Sequence, residues 1–307
     1  MAADPHPADP GRRPRVALVL KRSAYRVRVE EERDARLVRL IAMQDATVTQ
    51  LRAAHEAHEA TVREVEAALA AVGAEIVAVR RAGEGFDATG LDLVVTVGGD
   101  GTLLSASHHV ADVPILGINS APAHSVGFFC GAKSGEALDA IKKAVRGALR
   151  RAVLTRMQVS INGAVVVARV LNDALYCHAS PAATSRYIVS FGDVEEQQKS
   201  SGFWIGPAAG STAAQRSAGG RVLPLASKKL QLVVREPYTP HGESYRLRHA
   251  LIPPGHKLVV RSKMRDALIF FDGPVESAPL GYGDVVEFSQ APQSLTVLGI
   301  SVRRKWG

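Results

Sequence analysis

Apolar and polar positions along the 307-residue chain follow two different grammars, and the change between them falls near residue 150. In the first half, short apolar runs alternate with helical stretches. Residues 16–20, 75–79, 91–97 and 114–118 read as strands, and 91–97, rich in Leu and Val and stopped by glycines, fits a strand covered on both faces. Residues 103–110 and 135–151 read as helices, the second with Leu138, Ile141, Ala144 and Leu149 inward. Between 29 and 72 there is no Gly or Pro. From Leu37 to Val72 apolar residues recur in alternating steps of four and three, interrupted by Gln44, His55 and His58. One uninterrupted helix of that length would be on the order of 60 Å long, so the stripe predicts either a bend or a projecting coiled-coil seam against a second copy. The strand–helix–strand order around 91–118 predicts a parallel sheet with its ligand at the C-terminal ends of the strands.

Beyond residue 152 the segments are short, partly alternating and separated by turns: 153–161, 164–171, 186–191, 230–234, 257–260, 267–271, 284–288 and 294–297. Asn162-Gly163 is a strong hairpin signal. The chain therefore reads as an α/β domain with a parallel sheet over 15–150 and an all-β domain over 151–290. Residues 1–14, rich in Pro, Ala and Asp and without the basic-then-apolar order of a secretory signal, read as a disordered tail.

Composition narrows the class. No apolar run approaches the roughly 18–20 residues needed to span a bilayer. Two cysteines, Cys130 and Cys177, argue against a disulfide framework and for a reducing, cytoplasmic setting, and neither has metal-ligand spacing. The net charge of +8 is spread out, with only a short cluster at Arg303-Arg304-Lys305 and no interleaved aromatics. That pattern favours small polyphosphates over nucleic acid as the partner.

The chemistry concentrates in four places. Gly98-Gly99-Asp100-Gly101-Thr102 follows the strongest strand: one carboxylate in a glycine cradle, opening a helix whose free N–H groups can face an anion. From Ser200 to Gly220 small residues and hydroxyls allow a ligand to lie against main-chain amides, or else a tightly packed small-residue helix; Gly210-Ser211-Thr212 lacks the Lys of a P-loop. Asn172-Asp173 and Phe270-Phe271-Asp272-Gly273 both end strands and read equally as turns or as polar ligand contacts. No Ser/His/Asp arrangement, paired Cys site or dedicated metal cage is present in the pattern.

Taken in order, Gly98 to Thr102, Gly117-Ile118-Asn119, Asn172-Asp173, Gly210-Ser211-Thr212-Ala213 with Ser217-Ala218-Gly219-Gly220, and Asp272-Gly273 resemble the NAD kinase family over residues 15–290. The resemblance implies a two-domain architecture to which residues 291–307 return at the first domain. It implies transfer of phosphate from ATP or polyphosphate to the adenosine-ribose 2′-hydroxyl of NAD⁺ or NADH. Asp100 would be the general base. Gly99, Gly101, Thr102, Asn119, Asn172, Asp173, Ser201, Gly210, Ser211, Thr212, Ala213, Ala214 and Ser217 would contact the nucleotides. It further implies Mg²⁺ arriving with ATP and a homodimer or homotetramer, with no membrane or nucleic-acid partner. Ser201 stands where the family usually has Asp, Ala214 where it has Tyr, and Pro274 where it has Gln. Residues 120–126 look inserted before Gly127-Phe128-Phe129. These departures are closer to plant NADH kinases and mitochondrial NAD kinases, and NADH acceptance follows as an expectation. Two other readings stand beside it: a non-catalytic dinucleotide-binding regulator on the same fold, and a lipid kinase of the diacylglycerol type, which shares Gly-Gly-Asp-Gly-Thr but usually continues Asn-Glu-Val where this chain has Leu103-Leu104-Ser105.

Overall fold

The computed structural model describes residues 12–239 and 244–302, so most of the expected tail (residues 1–11) and the Arg303–Lys305 cluster lie outside the described residues. The chain divides into two compact units, residues 1–151 with 296–301, and 152–295 with 302–307.

In the first unit, β1 (Arg15–Leu20) is followed by a six-residue π-helix (Arg26–Glu31), α1 (Ala35–Ala42), α2 (Thr49–Ala71), β2 (Glu75–Arg81) and β3 (Leu93–Gly98). Then come α3 (Asp100–Ser107), β4 (Ile115–Asn119), β5 (Cys130–Lys133), α4 (Ala137–Val145) and, starting at the unit's last residue before 152, β6 (Arg151–Leu154). The sheet runs β2-β1-β3-β4-β19-β6, with β5 also on β4 and the last strand, β19 (Leu295–Leu298), parallel to β4. Every residue of β3 and β4 is buried, as their unbroken apolar runs require. His55, His58, Thr61, Val62, Val65, Ala68 and Leu69 form the buried stripe of α2. Val62, Val65 and Leu69 join Val16, Leu18, Val95 and Ile118 in one core. Glu64 of α2 ties the next helix in place: its two oxygens accept the N–H groups of Gly135 and Ala137, both at 2.8 Å, at the start of α4.

The helical expectations meet the structure at three points. Of the two forms expected for the stripe from 29 to 72, the interrupted one is found, as a π-helix, α1 and α2. Asp34 caps α1 by accepting from the N–H groups of Arg36 and Leu37, and Asp45 binds the N–H of Thr47, while Arg33 and Gln44 sit at φ 53° and 52°. Short acidic side chains that bond nearby backbone thus break a composition otherwise suited to helix. The helix expected over 103–110 begins at Asp100. The one expected over 135–151 stops at Val145, ahead of Gly147 at φ 68°, and Arg151 already opens a strand.

The second unit holds two six-stranded antiparallel sheets. Its elements are β7 (Met157–Ile161), β8 (Ala164–Val170), β9 (Ala174–His178), β10 (Ser185–Phe191), β11 (Val194–Ser200), β12 (Phe203–Gly206), α5 (Ala214–Ser217), β13 (Leu230–Val234), β14 (His249–Ile252), β15 (Lys257–Ser262), β16 (Ala267–Phe271), β17 (Glu276–Leu280) and β18 (Val285–Gln290). The sheet orders are β11-β10-β15-β18-β7-β8 and β14-β13-β12-β9-β16-β17. Inward residues of both, among them Tyr176, Tyr187, Phe203, Ile269 and Phe288, make the core. Asn162 and Gly163 turn β7 into β8 at φ 50° and 84°. The segment expected over 153–161 is interrupted at Thr155-Arg156, where the buried Arg156 guanidinium donates to the carbonyls of Gln293 and Ser294 at 3.0 and 3.1 Å. The small-residue stretch after Ser200 is neither a single helix nor an open loop: β12 leads into a 3-10 turn (Ala208–Thr212) and then α5.

Candidate functional site

The first unit presents Asp100 at the C-terminal end of β3, as the first residue of α3, with Gly99 as its cap. Gly98 packs against Thr102, where a Cβ would approach the threonine Cβ to 2.9 Å, and Gly99 lies against Ser125. Around Gly101, in contrast, a Cβ would meet nothing within 4 Å, so the cradle is open on that side. Asp100 does not cap its own helix. Its Oδ2 accepts the N–H of Phe128 at 2.8 Å and its Oδ1 that of Phe129 at 2.7 Å. The carboxylate is thereby fixed in plane and remains half-buried beside the free N–H groups that begin α3.

Neighbouring strand ends complete this locus. Ser120 donates its N–H to the Gly98 carbonyl at 3.0 Å, and its hydroxyl lies 3.1 Å from His58 Nδ1. Burial pushes the His58 imidazole down to about 4, so it is neutral at physiological pH. Asn119 is 4 % exposed, with both ends of its amide engaged by residues 121 and 125. Thr102 is buried, and its N–H bonds the Gly99 carbonyl at 3.0 Å.

The second unit gathers Asn172, Asp173 and Asp272, which sit where β9 and β16 run side by side. Asp272, at φ 49°, accepts the N–H groups of Leu171 at 2.8 Å, Asn172 at 2.6 Å and Asp173 at 3.1 Å. Asn172 donates its side-chain N–H to Asp173 Oδ2 at 3.1 Å. Burial, and then the charge of Asp272, push the Asp173 carboxyl up to about 7. Gly206 and Gly210 pack onto the Asn172 backbone, where a Cβ on either would collide with the Asn172 carbonyl oxygen. The Ser211 hydroxyl, fully buried, donates to Ala208 at 2.7 Å and accepts from Leu223 at 2.9 Å, so it is engaged inside the fold. Thr212 and Ala214 are half-buried, and Ala213 and Ser217 exposed.

Ser201 lines a cavity of about 310 Å³ together with Thr184, Arg186, Lys199, Glu236 and Tyr238. Arg186 and Lys199 face each other across β10 and β11. Like charges directly opposite are unfavourable without an anion between them. Arg235 adds a third cation, donating to the Ser201 carbonyl at 3.4 Å and lying 6.0 Å from the Trp204 ring centroid. Arg186 and Lys199 belong to no sequence motif, while Gln215, inside the small-residue stretch, is buried and its side chain accepts from Gln231 at 3.0 Å. The only signal for the first two was a pair of basic residues at matching positions of adjacent strands. Among the described residues no group of three His, Cys, Asp or Glu side chains is placed to hold a metal ion, and no helix is long and apolar enough to cross a membrane.

Residues 7–147 match the family model described as the ATP-NAD kinase N-terminal domain. A probable NADH kinase from Oryza sativa subsp. japonica is 34 % identical over 232 residues, covering 68 % of this chain and 71 % of that protein. The chain belongs to the NAD kinase family. An NADH kinase from Arabidopsis thaliana is 32 % identical over 230 residues, covering 67 % and 72 %. Two solved NAD kinase-family structures share the fold. One is an NAD kinase from Archaeoglobus fulgidus in complex with ATP, at TM-score 0.65 and 21 % identity over 92 % of each chain. The other is a yeast NADH kinase complexed with NADH, at TM-score 0.65 and 13 % identity, covering 95 % of this chain and 85 % of that one.

Proposed function

We propose that this member of the NAD kinase family transfers the terminal phosphoryl group of ATP to the adenosine-ribose 2′-hydroxyl of NAD⁺ or NADH. The observation that carries the reading is the Asp100 carboxylate, held rigidly by two amides at the mouth of an open glycine cradle. The carboxylate takes the hydroxyl proton as the sugar oxygen bonds the γ-phosphorus; the bond from that phosphorus to the β,γ-bridging oxygen breaks, and ADP leaves. The free N–H groups of α3 and the glycine backbone offer donors to phosphate oxygens. A divalent cation, Mg²⁺ in this reading, would enter with the donor phosphates and neutralise part of their charge.

In the second unit Asn172, Asp173 and the cavity beside Ser201 are the proposed dinucleotide contacts. Arg186 and Lys199 outnumber Glu236 in the cavity lining, and Arg235 holds the Ser201 carbonyl; with Ser201 in place of an acid, this balance suits a neutral reduced nicotinamide better than the positively charged oxidised ring, which supports NADH as an acceptor. The proposed assembly is a homodimer or homotetramer and the proposed compartment the cytoplasm.

Purified protein offered NAD⁺ and NADH in turn, with ATP or polyphosphate and Mg²⁺, should accumulate NADP⁺ or NADPH. Dinucleotide binding without product would overturn the enzyme reading in favour of a regulator on the same fold. Turnover of NAD⁺ beside none of NADH would end the acceptor argument alone.

A further inference from the structure

Asn119 was expected among the nucleotide contacts, yet its side chain is turned into its own loop. Its Nδ2 donates to the Ser125 carbonyl at 2.9 Å and its Oδ1 accepts the Ala121 N–H at 3.2 Å, which closes the segment that follows β4. Gly127 comes next at φ 61°, and a Cβ there would land on the Asn119 amide. The glycine therefore lies flat on the Asn119 side chain. Cys130 bonds back to the Gly127 carbonyl at 3.1 Å to begin β5. Between these two fixed points the chain has little choice of direction. It aims the consecutive N–H groups of Phe128 and Phe129 at the two oxygens of Asp100. The loop is pinned on its other side too, since a Cβ on Gly99 would come within 2.6 Å of the Ser125 hydroxyl oxygen.

An aspartate carboxylate turns broadly about its last torsion. Two amides, one on each oxygen, remove that freedom. We infer that Asn119 is a positioning residue for phosphoryl transfer, orienting Asp100 through the Phe128 and Phe129 amides without touching either nucleotide. This rests on Asp100 being the base, as proposed above. The segment 120–126, which looked like an insertion in the sequence, is then the arm of the clamp.

The test measures wild type, Asn119→Ala, Gly127→Ala and Asp100→Asn side by side for steady-state kinetics, cooperative unfolding and amide hydrogen exchange. In Asn119→Ala, kcat should fall about tenfold to a hundredfold, a part of what a general base supplies, while KM for dinucleotide and for ATP stays within about twofold. Exchange at Phe128 and Phe129 should speed up while α3 and β3 stay protected. Gly127→Ala, which forces the clamp from the opposite side, should give the same signature. A rise in dinucleotide KM with kcat retained would make Asn119 a ligand and overturn the inference. A fall in kcat with exchange at 128–129 unchanged would overturn it as well, as would loss of cooperative unfolding in both variants. If the wild type itself makes no NADP(H), the reading of Asp100 fails, and the exchange data still decide separately whether Asn119 holds the two amides.

Discussion

Asp100 in the first unit and Asp272 in the second use one device to opposite ends. Each carboxylate collects successive backbone N–H groups from a distant part of the chain, two for Asp100 and three for Asp272. Asp100 stays half-buried at the lip of a cradle with free space at Gly101. Asp272 holds the backbone of 171–173 in shape and, by its charge, helps keep its neighbour Asp173 protonated to about pH 7. The lesson is that amide binding of a carboxylate says nothing by itself about catalysis. What sets the proposed base apart from a structural anion is the side left open to a ligand.

Breaking that comparison at its strongest point means replacing Asp100 by Asn. Phosphoryl transfer should fall by at least about 10²-fold, the span expected for a lost general base, with dinucleotide binding by titration calorimetry little changed and the unfolding midpoint lowered modestly, because one of the two amides at 128–129 then faces an NH2 group instead of an acceptor. Asp272→Ala should do the reverse. It leaves three amides without their acceptor and should cost about 3 kcal/mol or more of stability, read as a lower urea midpoint, and should raise the dinucleotide KM because the backbone of Asn172 and Asp173 loses its holder, with kcat of the folded fraction kept.

A subtler break uses pH. The Asp173 carboxyl is raised from its ordinary value near 3.8 to about 7, so between those values the folded state binds more protons than the unfolded one. Its contribution to stability is full below the unfolded value and is lost as pH rises through the folded one. Urea midpoints should therefore decline between about pH 4 and pH 7, and Asp173→Asn should flatten that decline. The smallest effect is expected at the cavity. Ser201→Asp places an acid among Arg186, Lys199 and Arg235, and should shift the NAD⁺ to NADH ratio of kcat/KM severalfold towards NAD⁺, about 1 kcal/mol in differential binding.

How much of this was legible beforehand depended on sequence distance. The cradle was readable because strand, glycines and acid are contiguous, and β3 and β4 because strands buried on both faces carry unbroken apolar runs. The orientation of Asp100 was not, since its partners lie 28 and 29 residues downstream, beyond a segment that looked like a mere insertion. Asp272 acts on amides about a hundred positions back, and no local pattern records that. The break in the 29–72 stripe was hidden for another reason. Asp34 and Asp45 look like ordinary surface charges of an Ala/Glu/Arg helix until their side chains are seen bonding the backbone. In the β-rich unit, Glu195, Glu196, Gln197 and Gln198 gave no apolar alternation, and β11 was missed for that reason.

The place of β19 sets a schedule for folding during synthesis. Ile115 of β4 finds its partner in Val297, some 180 positions later, so the first-made unit is also the last to be completed. While the ribosome is still adding the β-rich portion, the Ile115 end of that edge stands open, β5 already pairing with residues 117–119. A chain released at residue 294 would lose protection in strands it fully contains.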